Sequence, residues 1–203
     1  RADGYARGEA IGALALLPME APAKSTVELK LLGSAVRQDG RSASLTAPNG
    51  QAQAGLLRAA LTDAGSNPAS LTLSEAHGTG TVLGDPIEVS SLAASVLTLR
   101  EDALPIGGVK ANIGHAEPAA GMTGLLKLVL NLRVCAAAPN GQLRIINPHL
   151  SIISTSEDTG ALPVQQCDTS SKERNGGGVS SFGYSGTIAH AVLHHNASTL
   201  LDF

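Results

Sequence analysis

Aromatic side chains are almost absent from this sequence: two Tyr, two Phe and no Trp in 203 residues. Single-stranded nucleic acids are held largely by stacking bases on aromatic rings, so that mode of binding is excluded. Cations are few as well, 14 Lys and Arg against 17 Asp and Glu, for a net charge of −3. A surface so balanced does not neutralise a run of phosphates, which argues against nucleic acid as a partner. Only two cysteines occur, Cys135 and Cys167, without paired spacing. They build neither a disulfide framework nor a cysteine zinc site, and a reducing, cytoplasmic setting fits. No apolar run reaches the length of a membrane span. The longest candidate, Leu125–Leu132, is interrupted by Lys127 and Asn131, so no membrane partner is expected. The chain opens on Arg1-Ala2-Asp3 with neither Met nor a signal peptide, which reads as a start within a longer protein.

What is present is small and aliphatic, punctuated by 23 Gly and 10 Pro. Ala10–Leu17 (AIGALALL) reads as a buried strand ended by Pro18, and Thr26–Arg37 as a second strand. Gln51–Ala64 reads as a helix, with Leu56, Leu57, Ala60, Leu61 and Ala64 on one face and Gly65 at its stop. Ser70–Ala76 is a strand that runs into the glycine-rich loop His77–Gly84. Asp85 is placed to cap the next helix, with Pro86 at its first position and Glu88 completing a capping box, and that helix runs to about Arg100. Leu104–Val109 is a strand, Lys110–Glu117 a loop, and Pro118 starts a helix through Arg133. Gly121 and Gly124 allow other backbone to approach that helix closely, and its thin polar stripe of Thr123, Lys127 and Asn131 implies burial between two sheets. Thr155–Gly178 reads as an exposed loop, and Val179–Phe182 and Ile188–His194 as a closing strand pair. The alternation of strands and helices predicts an α/β layered domain.

In such sheets ligands bind beyond the carboxyl ends of the strands. Three loops fall there: His77–Thr81, Lys110–Glu117 and Gly183–Thr187. Adjacent strand ends lie about 5 Å apart, so His77 and His115 can converge on one small group. Two neutral imidazoles, each presenting an N–H, would stabilise a developing oxyanion, and burial and Lys110 would both favour their uncharged forms. Each feature also has a plainer reading. A single histidine at a strand end is usually a hydrogen-bonded structural residue, Lys110 alone a solvated cation, and Glu117 a carboxylate near a helix start. Gly78-Thr79-Gly80 before a helix resembles a dinucleotide fingerprint, but the G-x-G-x-x-G spacing is missed by one. No metal-ligand set is present: His-Glu-x-x-His is absent, and His149, His194 and His195 have no supporting constellation.

Together the loops resemble the C-terminal half of a β-ketoacyl synthase, as in polyketide synthases and fatty-acid condensing enzymes. The matching segments are Glu75–Glu88 (EAHGTGTVLGDPIE), Gly108–Gly121 (GVKANIGHAEPAAG) and Gly178–His190 (GVSSFGYSGTIAH), with Asp3–Glu9 and Gly33–Gly50 in support. The resemblance implies a thiolase-like fold, the C-terminal half of its layered αβαβα architecture. Residues 1–22 would then be the tail of an N-terminal half that is mostly missing, and residues 25–203 the C-terminal half. It further implies that His77 and His115 are catalytic, with Lys110 and Glu117 as an accompanying ion pair. Thr79 and Thr81 would contact the phosphopantetheine arm of an acyl carrier protein. Tyr184 would take the gating position, beside Gly183, where a backbone N–H helps form the oxyanion hole. The implied reaction is decarboxylative Claisen condensation of an acyl thioester with malonyl- or methylmalonyl-carrier protein. The implied partners are the N-terminal half, the carrier protein and a second copy in a homodimer. No cofactor is expected on the chain itself, because the phosphopantetheine belongs to the carrier.

Two features depart from the family. The nucleophilic cysteine has no counterpart, since neither Cys135 nor Cys167 has the family's Thr-Ala-Cys-Ser-Ser-like context, so the chain is expected to be inactive alone. Ile188 stands where the family carries Asn. These departures keep a second reading open, a non-catalytic ketosynthase-like scaffold or chain-length partner. A nicotinamide-binding module resting on Gly78–Gly84 is a distant third.

Overall fold

The computed structural model describes residues 4–18, 29–40, 47–141, 143–150, 159–169 and 175–196. Its centre is a six-stranded mixed sheet in the order β1-β8-β7-β2-β3-β5. The strands are β1 (Leu29–Gln38), β2 (Leu71–Glu75), β3 (Leu104–Gly107), β5 (Gly160–Ala161), β7 (Gly176–Phe182) and β8 (Thr187–His195). β7, β2, β3 and β5 run parallel, while β8 returns antiparallel to β7 and β1 pairs antiparallel with β8. A separate two-stranded ribbon joins β4 (Ala136–Ala137) to β6 (Cys167–Asp168).

Helices cover both faces of the sheet, as a strand with no exposed face demands. β2 is buried along its whole length. On one side lie α1 (Gly50–Asp63) and α2 (Gly84–Ser95), whose Leu57, Ala60, Leu61, Val89 and Leu92 close on Leu71, Leu104, Ile106 and Val192. After β3 comes a single helical turn, α3 (Lys110–Ile113). On the other face lies α4 (Ala120–Arg133), where Leu128 and Leu132 meet Leu73, Val179 and Leu193. Each leucine so removed from water contributes about 1.5–3 kcal/mol. The register slips between Leu71 and Leu73 where β2 meets β7, and a slip of this kind lets two leucines two positions apart serve opposite faces.

Most expected elements are present, with end shifts of a residue or two. Asn49 caps α1, its side chain accepting from the Gln51 and Ala52 amides, and Gly65 at φ +58° ends it. Four expectations are corrected. Residues 10–17 form no strand and are largely exposed, Ile11, Leu16 and Leu17 among them. The run has apolar composition but no strand beside it among the described residues; Gly12 lies against Met122 and Leu126 of α4. The expected exposed loop 155–178 is in part a buried strand, since Gly176, Gly177 and Gly178 begin β7. A side chain on Gly177 would stand 2.6 Å from Leu128, and one on Gly178 2.8 Å from the His190 ring. These glycines are packing residues, not turn residues. Third, α2 stops at Ser95, followed by a 3₁₀ turn over Leu97–Leu99, and its N-cap is Leu83 without a side-chain bond. Asp85 and Glu88 are engaged elsewhere. Fourth, α4 buries Ala120, Gly124, Leu128 and Leu132 as a single stripe, against one sheet only among the described residues. The close approaches expected of Gly121 and Gly124 are there, to Ser181 and Val179. Residues 26–28 of the second expected strand and 155–158 and 170–174 of the loop lie outside the described residues.

Candidate active site

The strand order places the three loops at one edge of the sheet. β2 and β3 are neighbours, with Glu75 opposite Gly107, so His77 and Lys110 follow adjacent strand ends. β7 runs parallel to β2 on its other side and delivers Phe182 and the Gly183–Gly186 turn to the same edge. The His115 loop is brought in by residues 4–8. His115 N–H donates to the Ala6 carbonyl at 2.8 Å, Gly8 N–H to the His115 carbonyl at 3.0 Å, and Gly4 N–H to the Gly80 carbonyl at 3.1 Å. This stitching needs glycine. Gly80 and Gly114 sit at φ +75° and +80°, and a Cβ on either would come within 3.0 Å of the Gly4 or Ala6 carbonyl oxygen.

The two imidazoles meet. Their ring centroids are 5.8 Å apart and nearly perpendicular. Phe182 lies 5.4 Å from His77, and Tyr5 4.6 Å from His115. Both rings line one cavity of about 740 Å³, together with Thr79, Thr81, Gly183 and Tyr184.

The hydrogen bonds also select the tautomers. His77 Nδ1 accepts the Phe182 N–H at 3.3 Å, with Lys110 Nζ 3.5 Å away. His115 Nδ1 accepts the Glu117 N–H at 2.9 Å. With Nδ1 occupied as an acceptor, a neutral imidazole carries its proton on Nε2. Burial, then the Lys110 ammonium and then His115, hold His77 down at about 3. Burial and Lys110 also lower His115, and Glu117 opposes them. Both rings are therefore neutral Nε2–H donors at pH 7.

Lys110 is itself held by the loop it faces. Its ammonium donates a hydrogen bond to the His77 carbonyl, and burial lowers its pKa while Glu88, Glu75 and Asp85 raise it. The expected ion pair with Glu117 is not formed. Glu117 pairs with Arg7 at 3.1 Å, because at φ +46° its backbone N–H turns to the His115 ring while its carboxylate reaches the residue 4–8 segment. Thr79 and Thr81 place their hydroxyls 3.1 Å apart, and Thr81 Oγ1 accepts the Gly84 N–H. Tyr184 is 82 % exposed at the mouth of the cavity. Ile188 is fully buried in β8. The turn it follows is held from β1 instead: Gln38 Nε2 donates to the Ser185 carbonyl at 2.9 Å and Asp39 N–H to the Gly186 carbonyl at 2.7 Å.

Sequence reasoning passes over four contributors: Glu88, Tyr5, Phe182 and Glu75. Glu88 has the spacing of a capping-box residue, yet it accepts the His77 and Gly78 N–H groups at 2.7 and 2.8 Å. Burial pushes it up to about 7 against the pull of those amides. An acidic residue closing an otherwise uncharged strand, as Glu75 does in SLTLSEA, is the available signal for the last of them. Neither cysteine lines the cavity; both lie at the β4–β6 ribbon.

Residues 29–144, more than half of the chain, match the family model for the C-terminal domain of beta-ketoacyl synthases. The chain belongs to the β-ketoacyl synthase family. It is 41 % identical over 196 residues to a phenolphthiocerol/phthiocerol polyketide synthase from Mycobacterium tuberculosis, covering 95 % of this chain and 10 % of that protein. An erythronolide synthase of Saccharopolyspora erythraea is 42 % identical over 198 residues, 95 % of this chain and 5 % of its own length. Two solved ketosynthases superpose with a TM-score of 0.75. They are an oxazolomycin ketosynthase domain from Streptomyces albus (35 % identity, 83 % of this chain, 30 % of that one) and the ketosynthase of module 6 of the bacillaene synthase from Bacillus subtilis (33 %, 83 % and 31 %). The fold is accordingly thiolase-like, and this ketosynthase chain spans under a third of the solved domains it matches. No helix among the described residues is long and apolar enough to cross a membrane.

Proposed function

We propose that this ketosynthase chain supplies the decarboxylating part of a condensing site, acting on malonyl- or methylmalonyl-carrier protein with an acyl group held on a cysteine outside these 203 residues. The observation that carries this is the convergence of two imidazoles on one cavity, each with its Nδ1 taken up by a backbone N–H. In the first step the bond between the α-carbon and the carboxylate breaks, CO₂ leaves, and the electron pair moves onto the thioester oxygen. That oxygen becomes an enolate, and donors at His77 and His115 lower the energy of its charge more than that of the neutral carbonyl. The enolate carbon then attacks the acyl thioester; a carbon–carbon bond forms and the cysteine sulfur leaves as thiolate. Burial, reinforced by the Lys110 ammonium, keeps both rings uncharged. In this reading the Thr79 and Thr81 hydroxyls hold the pantetheine arm, which the carrier protein brings, and Tyr184 guards the acyl entrance. Assembly as a homodimer with the cysteine-bearing half completes the proposal.

The second reading, a ketosynthase-like scaffold, draws on the distance of both cysteines from the cavity. Decarboxylation separates the two, because it requires the histidines but no sulfur. With the cysteine-bearing polypeptide present, malonyl-carrier protein should lose CO₂. His77→Ala or His115→Ala should each lower the rate of CO₂ loss by about 10²–10³ while acylation of the cysteine persists. Absence of CO₂ release from the unaltered protein would favour the scaffold.

A further inference from the structure

One carboxylate that the steps above do not use lies beneath all three elements that carry His77, Lys110 and His115. Glu75 ends β2 two residues before His77 and is 2 % exposed. One of its oxygens accepts the Val109 N–H at 2.6 Å, and the other accepts from Lys127 Nζ at 2.8 Å. Lys127 reaches in from the middle of α4, its side chain 12 % exposed. Glycines make room for the pair. A Cβ on Gly107 would stand 2.5 Å from the Glu75 carboxylate and 2.8 Å from Lys127 Nζ, and Gly124 leaves the Glu75 stem at ordinary contact.

Each contact leads to a different loop. Glu75 continues through Ala76 into His77. Val109 is followed at once by Lys110, and α4 follows the loop that holds His115 and Glu117. A buried ion pair is a poor source of net stability, since desolvation of both charges offsets their attraction and apolar residues of the same shape often serve as well. An apolar residue at 75 could not, however, accept the Val109 amide. Burial raises the pKa of Glu75 and Lys127 opposes this; the two hydrogen bonds use both carboxylate oxygens as acceptors.

We propose that Glu75 is a positioning residue of the condensing site: held by Lys127, it fixes the Val109 amide and thereby the reach of Lys110 to the His77 carbonyl. This rests on the reading in which His77 and Lys110 serve decarboxylation. The test follows malonyl-carrier decarboxylation, with the cysteine-bearing polypeptide present, in Glu75→Gln, Lys127→Met, Glu75→Gln/Lys127→Met and Glu75→Leu/Lys127→Met. Glu75→Gln has one acceptor oxygen for two donors, so kcat should fall about tenfold with KM within about twofold. Adding Lys127→Met removes the second donor, and the double variant should recover to within about threefold of the unaltered rate. Glu75→Leu/Lys127→Met, neutral and similar in volume but without an acceptor, should stay at least about tenfold down. Cysteine acylation should change little in all of them. If Lys127→Met alone does not fold, the step from Glu75→Gln to the double variant carries the test unaided. Full activity in Glu75→Leu/Lys127→Met, or no recovery in the double variant, overturns the proposal alone; absence of decarboxylation in the unaltered protein overturns it together with the reading beneath it.

Discussion

Histidines occupy two settings in this molecule. His77 and His115 sit in glycine-rich loops at the edge of the sheet and line a cavity. His190 lies inside β8, 3 % exposed, with Nδ1 3.0 Å from Ser180 Oγ and its ring packed over Gly178. Burial lowers both kinds, His77 to about 3 and His190 to about 4. A suppressed charge is therefore no mark of chemistry. The difference lies in what each ring's second nitrogen meets. At the edge both rings border an open cavity with Nδ1 already occupied, beside a lysine that penalises protonation, whereas His190 fills the space a glycine leaves.

The largest expected effect breaks the comparison at its functional end. Removing one oxyanion donor costs about 10²–10³ in rate, so His77→Ala and His115→Ala should each lose that much decarboxylation. Glutamine, whose amide can place a donor near the position of Nε2, should lose only about tenfold. His190→Gln should leave the rate per folded molecule within about threefold, because it contributes no donor to the cavity. Equal losses at all three positions would erase the distinction.

Stability should respond in the opposite sense. A histidine whose folded pKa lies below its unfolded value binds more protons when unfolded, so stability is fully present above about pH 6.5 and is lost as pH falls toward the folded pKa. For His190 the window runs from about 6.5 to 4 and amounts to ~3 kcal/mol. Urea unfolding at pH 7 and pH 4.5 should show a smaller acid loss in His190→Gln than in the unaltered protein. An identical loss would mean that His190 is not buried neutral.

The same contrast explains what was legible in the sequence. The histidine loops stand out because strand, glycine and histidine fall together in a short stretch, and strand adjacency then does the rest. Helix α1 is equally plain, since Leu56, Leu57, Ala60 and Leu61 recur at helical spacing and all prove buried. Residues 10–17 mislead because an apolar run states a composition and not a neighbour. Gly176–Gly178 mislead in the reverse way: three glycines suggest a loop unless Leu128 and His190 are known to press on them. Contacts between distant residues, such as Glu88 with the His77 amide or Glu117 with Arg7, leave no local pattern to read.

Two milder changes sharpen the comparison further. Gly114→Ala forces a side chain into a left-handed backbone against the Ala6 carbonyl; it should cost about 1–2 kcal/mol and lower decarboxylation by displacing His115. A change in Tm without loss of rate would detach residues 4–8 from the site. The smallest effect belongs to Gln38→Ala, which removes the bond to the Ser185 carbonyl. With a net value of about 1 kcal/mol for such a bond, it should shift KM for the acyl substrate by about two- to fivefold and leave kcat alone.

The most direct measurement is ¹⁵N NMR of the imidazole nitrogens of His77 and His115 at pH 7, assigned by substitution. Each ring should report an unprotonated Nδ1 and a protonated Nε2, with no titration of His77 down to about pH 4. An imidazolium at pH 7, or protons on Nδ1, would contradict the paired-donor mechanism.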